Sequence, residues 1–189
     1  MRKLTYYIAT SLDGFIAGPD GEFDFFAFEG DLAAAILADY PETMPVHARE
    51  PLGIAEAANA RFDTVLMGRA TYEPALALGI TSPYAHLRQY VFSRTLKQRD
   101  PAVEIVDGDP VEFVRELKRQ DGMGIWLCGG ATLAGQLVDE IDELVLKRYP
   151  VVLGSGIPLF HAPFTVTNFA LTDSRVFNTG ATISTYVQR

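Results

Sequence analysis

Thr64 to Met67 is a strand-like apolar run that ends at Gly68, with Arg69 and Thr71 directly behind it. A helix-compatible stretch follows. The order reads as a strand, a tight turn and a helix N-terminus. Such a terminus has backbone N–H groups without intrahelical partners and a partial positive charge, so it can hold a phosphate. Arg69 adds a full charge and a fork of donors matched to phosphate oxygens. Two further junctions repeat the theme. Trp126-Leu127-Cys128 runs into Gly129-Gly130-Ala131-Thr132, where paired glycines allow close approach of backbone to a ligand. Phe92 runs into Ser93-Arg94, which places a hydroxyl and a guanidinium just past a strand end. Each junction alone also reads as an ordinary turn. At the ends of strands that share one cleft, they read as a clamp for a phosphate-bearing ligand.

Other residues offer acid–base chemistry. Asp13-Gly14 makes a turn after the first strand, where the Asp13 carboxylate suits nearby backbone N–H groups. Asp24, Glu29 and Asp31 lie among Phe23, Phe25, Phe26 and Phe28. A carboxyl in an apolar pocket can keep its proton near neutrality and act as an acid. The same three also read as solvated groups, and Asp31 as the cap of a helix starting at Leu32. His47, His86 and His161 lack ligand spacing, so no metal site is expected. Gly154-Ser155-Gly156 lacks the spacing of a nucleophile elbow. Cys128 is the only cysteine, which excludes an intrachain disulfide and fits a reducing compartment; it reads as a small buried residue.

The elements that must position these groups alternate. Strands are expected at Leu4–Thr10, Thr64–Met67, Gln89–Ser93, Val103–Val106, Gly124–Cys128 and Glu143–Tyr149. Helices are expected at Leu32–Ala38, Pro51–Ala60, Arg69–Leu76, Pro110–Gln120 (capped by Asp109) and Ala131–Val138. Ser11–Gly21 reads as a loop. Thr165–Phe177 and Ala181–Gln188 read as a hairpin around Asn178-Thr179-Gly180. This order predicts one α/β domain over 1–189, with a mostly parallel sheet and an antiparallel edge. Ligands of such sheets bind at the carboxyl ends of the strands. The loops after Thr10, Met67, Phe92 and Cys128 should therefore share a cleft.

The chain has 189 residues and a formal net charge of −8, without a cluster of Lys and Arg. Nucleic acid is not an expected partner. A local basic pocket for a small anion is compatible with that balance. The N-terminus runs straight into a strand pattern without an apolar leader, and no apolar run is long enough to cross a bilayer. A cytoplasmic protein without a membrane partner is expected.

Five segments together resemble the dihydrofolate reductase-like superfamily, and most of all the reductase domain of the bifunctional riboflavin-biosynthesis deaminase–reductase and its stand-alone relatives. They are Ser-Leu-Asp-Gly-Phe-Ile-Ala at 11–17, Met-Gly-Arg-Ala-Thr-Tyr-Glu at 67–73, Phe-Ser-Arg at 92–94, Gly-Gly-Ala-Thr-Leu at 129–133 and Pro-Val-Val-Leu-Gly-Ser-Gly-Ile-Pro-Leu-Phe at 150–160. The resemblance implies a three-layer αβα fold, NADPH as cofactor and a homodimer. It puts Gly68, Arg69 and Thr71 at the cofactor phosphates and Ser93 and Arg94 at the adenosine 2′-phosphate. Gly129 and Gly130, followed by Ala131 and Thr132, fall near the pyrophosphate. The backbone of Ala9 and Ile16 falls at the nicotinamide amide. The nearest named activity is 5-amino-6-(5-phosphoribosylamino)uracil reductase. In that branch a cation usually follows the Asp-Gly turn, but here the position is Phe15. Asp13, Phe15 and Lys147 are the substrate-side candidates. Lys147 reads either as an anion binder or as a strand-edge charge. The proton would come from Asp24, Glu29 or Asp31, or from water. A non-catalytic protein that binds a nucleotide or folate-like ligand is the alternative, and a true dihydrofolate reductase a further one.

Overall fold

The computed structural model describes residues 1–189. Strands are β1 (Leu4–Thr10), β2 (Phe15–Ala17), β3 (Phe62–Gly68), β4 (Arg88–Phe92), β5 (Val103–Val106), β6 (Gly124–Gly129), β7 (Glu143–Arg148), β8 (Ile157–Pro158), β9 (Phe169–Val176) and β10 (Thr182–Gln188). Helices are α1 (Gly30–Asp39), α2 (Val46–Arg49), α3 (Arg69–Ala77), α4 (Pro110–Arg119) and α5 (Ala131–Gln136).

Eight strands form one sheet in the order β5-β4-β3-β6-β1-β7-β10-β9. From β5 to β7 every neighbouring pair is parallel, and β10 runs antiparallel to both β7 and β9. The expected mostly parallel sheet with a terminal hairpin is therefore present. Alternate residues of each central strand feed two separate cores, as a sheet covered on both faces requires. One core joins Tyr7, Val65, Met67, Trp126 and Val145 to Leu32 and Ile36 of α1 and Tyr72 of α3. The other joins Leu4, Tyr6, Leu66 and Leu127 to Val114 and Leu117 of α4, Leu133 of α5 and Leu137 just after it. The result is three layers, with α1 and α3 on one face and α4 and α5 on the other. Asp109 caps α4 as expected, accepting from Val111 N at 2.8 Å and Glu112 N at 3.0 Å.

Three local expectations fail. The loop 11–21 contains β2, which pairs antiparallel with β8. The ninth strand begins at Phe169 rather than Thr165. The alanine-rich stretch 51–60 is irregular and not helical; the short α2 precedes it. The cause is tertiary. The buried Arg49 guanidinium donates to Pro41 O at 2.8 Å and Ala57 O at 2.7 Å. The buried Glu42 carboxylate accepts from the N–H groups of Ala60, Arg61 and Phe62 at 3.1, 2.7 and 2.7 Å. Side chains thus take the backbone groups that a helix would have paired internally, and alanine propensity is too weak a preference to compete.

Candidate functional site

Strand order settles which loops meet. Because β4, β3, β6 and β1 are consecutive and parallel, Ser93, Gly68, Gly129 and Ser11 all emerge at one edge of the sheet. There α3 starts at Arg69 and no side chain caps it. Gly68 faces the Gly129–Gly130 peptide, which is cis. A Cβ on Gly68 would meet Gly130 N at 3.3 Å, so a side chain there would fill the space between the two turns. The Thr71 hydroxyl lies over the same pair, 3.5 Å from where a Cβ would stand on either glycine. Ala131 and Thr132 open α5 beside it. The exposed Arg69 donates to Glu73 at 2.6 Å and to Thr95 Oγ1 at 2.9 Å, and so spans from α3 to the turn after β4. In that turn Ser93 Oγ accepts from Leu96 N at 3.0 Å and Thr95 N at 3.3 Å, while Arg94 is exposed. Two guanidiniums, two hydroxyls and an uncapped helix start line this edge. That donor set fits a polyanion such as a dinucleotide phosphate.

The Asp13 carboxylate is already engaged. It takes Ser11 Oγ at 2.6 Å, Gly154 N at 2.7 Å and Leu153 N at 3.2 Å. The Ser11 hydroxyl, then the Gly154 and Leu153 amides, hold its pKa below the usual carboxylate value. The folded form is favoured by this pairing above the ordinary carboxylate pKa, and the benefit disappears as pH falls through the lowered one. Asp13 is therefore placed to tie the 150–160 segment to the first loop. Two backbone bonds reinforce it, Leu12 N to Val151 O at 2.8 Å and Leu159 N to Gly14 O at 2.9 Å. Phe15, half-buried on β2, lies against Gly156, and Ile16 follows it on the same strand.

Asp24, Glu29 and Asp31 are all exposed, so none sits in the apolar pocket that a proton-holding carboxyl requires. Nor does Asp31 cap α1, whose cap position is Glu29; Asp31 accepts from Asn178 N at 3.0 Å and steadies the β9–β10 turn. The titratable groups at the inner wall are different ones. Lys147 pairs in register with Ala9 of β1. Its ammonium reaches across β1 to lie over the Tyr7 ring, 4.0 Å from the centroid. The residue is partly exposed along its length, yet desolvation at the amine pulls its pKa down to about 8. Burial pushes the Cys128 thiol the other way, to about 12, against the opposing effects of Tyr84 and Lys147. Tyr84 stacks edge-on to Trp126 at 5.0 Å, and Phe26 packs on Tyr149 at 4.9 Å. The sequence offered no local signal for Tyr7 or Tyr84, because their partners are far away in the chain.

A groove of about 420 Å³ at the opposite end of the sheet is lined by Arg2, Lys3, Arg61 and Glu143. It lies at the amino ends of the strands, and its Arg2 and Lys3 are already paired with Asp63 and Glu143. The open, cationic carboxyl edge is the better ligand site on both counts. No helix is long and apolar enough to cross a membrane.

A family model described as the RibD C-terminal domain matches residues 2–183. Uncharacterized protein YwjB of Bacillus subtilis (strain 168) is 36% identical over 182 residues, covering 93% of this chain and 92% of its own. The structure is similar to that of a Shewanella sp. PV-4 protein named for riboflavin biosynthesis, with TM-score 0.72, 26% identity and coverage of 100% and 99% of the two chains. It also matches a dihydrofolate reductase from Enterococcus faecalis complexed with NADP(H), with TM-score 0.65, 14% identity and coverage of 99% and 96%. The last likeness is one of fold, which is dihydrofolate reductase-like.

Proposed function

The chain belongs to the RibD C-terminal domain family, and from that premise we propose that it is an NADPH-dependent reductase acting on a small heterocyclic acceptor. The single observation that carries this reading is the cationic strand edge, where Arg69, Ser93, Arg94 and the Gly68 and Gly129–Gly130 turns converge. In this reading Arg69, Ser93 and Arg94 hold the adenosine 2′-phosphate, and Thr71, Gly129, Gly130, Ala131 and Thr132 hold the pyrophosphate. The Ala9 and Ile16 backbones hold the nicotinamide amide, and the bound cofactor supplies a hydride. The acceptor lies between Phe15, Lys147 and the aromatic wall of Tyr7, Phe26 and Tyr149. The nearest named activity is reduction of 5-amino-6-(5-phosphoribosylamino)uracil. Phe15, in place of a cation, favours an acceptor without a phosphoribosyl group.

The test is a titration with NADPH followed by Trp126 emission. The indole is buried against Tyr84 and close to Cys128, so occupancy of the edge is expected to change its signal. Oxidation of NADPH is then followed across pterins, deaminated pyrimidines and quinones. Absence of NADPH binding at millimolar concentration would sink the reading. Binding without oxidation of any acceptor would favour a ligand-binding protein.

The same reading includes a homodimer. Strand β9 ends the sheet with unpaired backbone groups and carries exposed Leu171 and Val176, with Phe164 (97% exposed) just before it. Such an edge calls for a cover. Sedimentation equilibrium is expected to give twice the 20.8 kDa chain mass, and a Val176→Lys variant to shift it toward the monomer.

A further inference from the structure

We propose that Lys147, as an ammonium ion, is the acid that protonates the acceptor atom during reduction. The inference rests on the reductase reading above, in which bound NADPH supplies the hydride.

The chain has four lysines. Lys3 is paired with Glu143 at 2.6 Å, Lys118 is paired with Asp142 at 2.8 Å, and Lys97 is exposed. Lys147 alone is desolvated without an acidic partner. The groups facing it are Tyr7 from β1 and Cys128 from β6, with Tyr84 bearing on Cys128 behind them. None is a carboxylate, and only the Cys128 thiol bears on its charge. A buried cation without an anion destabilises a fold, and a cation–π contact offsets that only in part. The place of Lys147 fits the role: Ala9, its register neighbour, is the backbone position assigned to the nicotinamide. The three carboxylates that could have served instead all point to solvent.

The chemistry balances. As the acceptor carbon gains a hydride, the π pair of its C=N or C=O bond moves to the heteroatom. The Lys147 Nζ–H bond breaks, the proton joins that heteroatom, and the bonding pair stays on nitrogen. The neutral amine regains a proton from water. A donor with a pKa near 8 is well matched to this task at neutral pH.

Two measurements test it. In the ligand-free protein, reductive ¹³C-methylation labels the four lysines and the Met1 amine, and one lysine NMR signal is expected to titrate near pH 8, identified by its absence from Lys147→Met. That variant should bind NADPH as the parent does and melt about 4 °C higher, because an uncompensated charge has gone. Turnover of the best acceptor from the panel above should fall at least a hundredfold in Lys147→Met. The parent rate should decline as pH rises through about 8, since the donor must be protonated. Lys147→Arg should move that decline above the accessible range. Titration of all four lysines together, a lower melting temperature for Lys147→Met, or an unchanged pH limb in Lys147→Gln would each overturn the proposal. Failure of the parent to bind NADPH would instead sink the reductase reading on which it rests.

Discussion

The double variant Arg69→Ala, Arg94→Ala is expected to bind NADPH about a thousandfold more weakly than the parent while folding normally. A hydrogen bond to a charged group is worth about 1.5–3 kcal/mol, and two lost together give a factor on the order of 10² to 10⁴. Both guanidiniums sit at the strand edge and are exposed, so their loss costs the fold little. The one ion pair at stake, Arg69–Glu73, is an exposed i,i+4 contact of the kind that contributes a few tenths of a kcal/mol. NADH lacks the 2′-phosphate, so its affinity should drop far less. Calorimetric titration with both dinucleotides checks this. Equal losses for the two would place the arginines elsewhere than at the 2′-phosphate. The parent's NADPH affinity should also weaken as salt is added, as screening demands at an exposed site.

Glu42→Ala is expected to destabilise the protein by about 4 kcal/mol, lowering its melting temperature by roughly 10 °C. Its carboxylate is fully buried and satisfies three consecutive backbone N–H groups. Each such group left without a partner costs about 1–3 kcal/mol. Glu42→Gln keeps one accepting oxygen and should lose about half as much. The consequence reaches the site, because the held residues lead directly into β3, whose far end is Gly68. Urea denaturation of both variants gives the comparison, and a loss below about 1 kcal/mol in Glu42→Ala would show that water replaces the carboxylate.

Much of this architecture is local and was readable from the chain. Strands Leu4–Thr10 and Val103–Val106 have the bounds that their apolar patterns indicate. The Gly68, Ser93 and Gly129–Gly130 junctions sit at strand ends, because glycine and short polar residues after an apolar run terminate a strand whatever surrounds it. Alternation of strand and helix then forces a parallel sheet, and a parallel sheet puts those junctions on one edge. The cationic strand edge is for that reason legible in sequence.

The inner wall around Lys147 is not. Nothing near Lys147 in the chain distinguishes a strand-edge charge from a desolvated ammonium. The distinction depends on Tyr7 and Cys128, which only the β6-β1-β7 order brings beside it. Asp13 was expected to bond backbone N–H groups of its own turn, and it takes those of Leu153 and Gly154 from the far end of the chain instead. Asp24, Glu29 and Asp31 stand among aromatics in sequence and face water in space. The 51–60 stretch lost its helix to Arg49 and Glu42. Sequence by itself determined most of the elements, their order and the cationic edge, because short-range periodicity and turn chemistry govern these. Tertiary structure alone decided which polar groups are desolvated and which are engaged, because burial and pairing are set by residues distant in the chain.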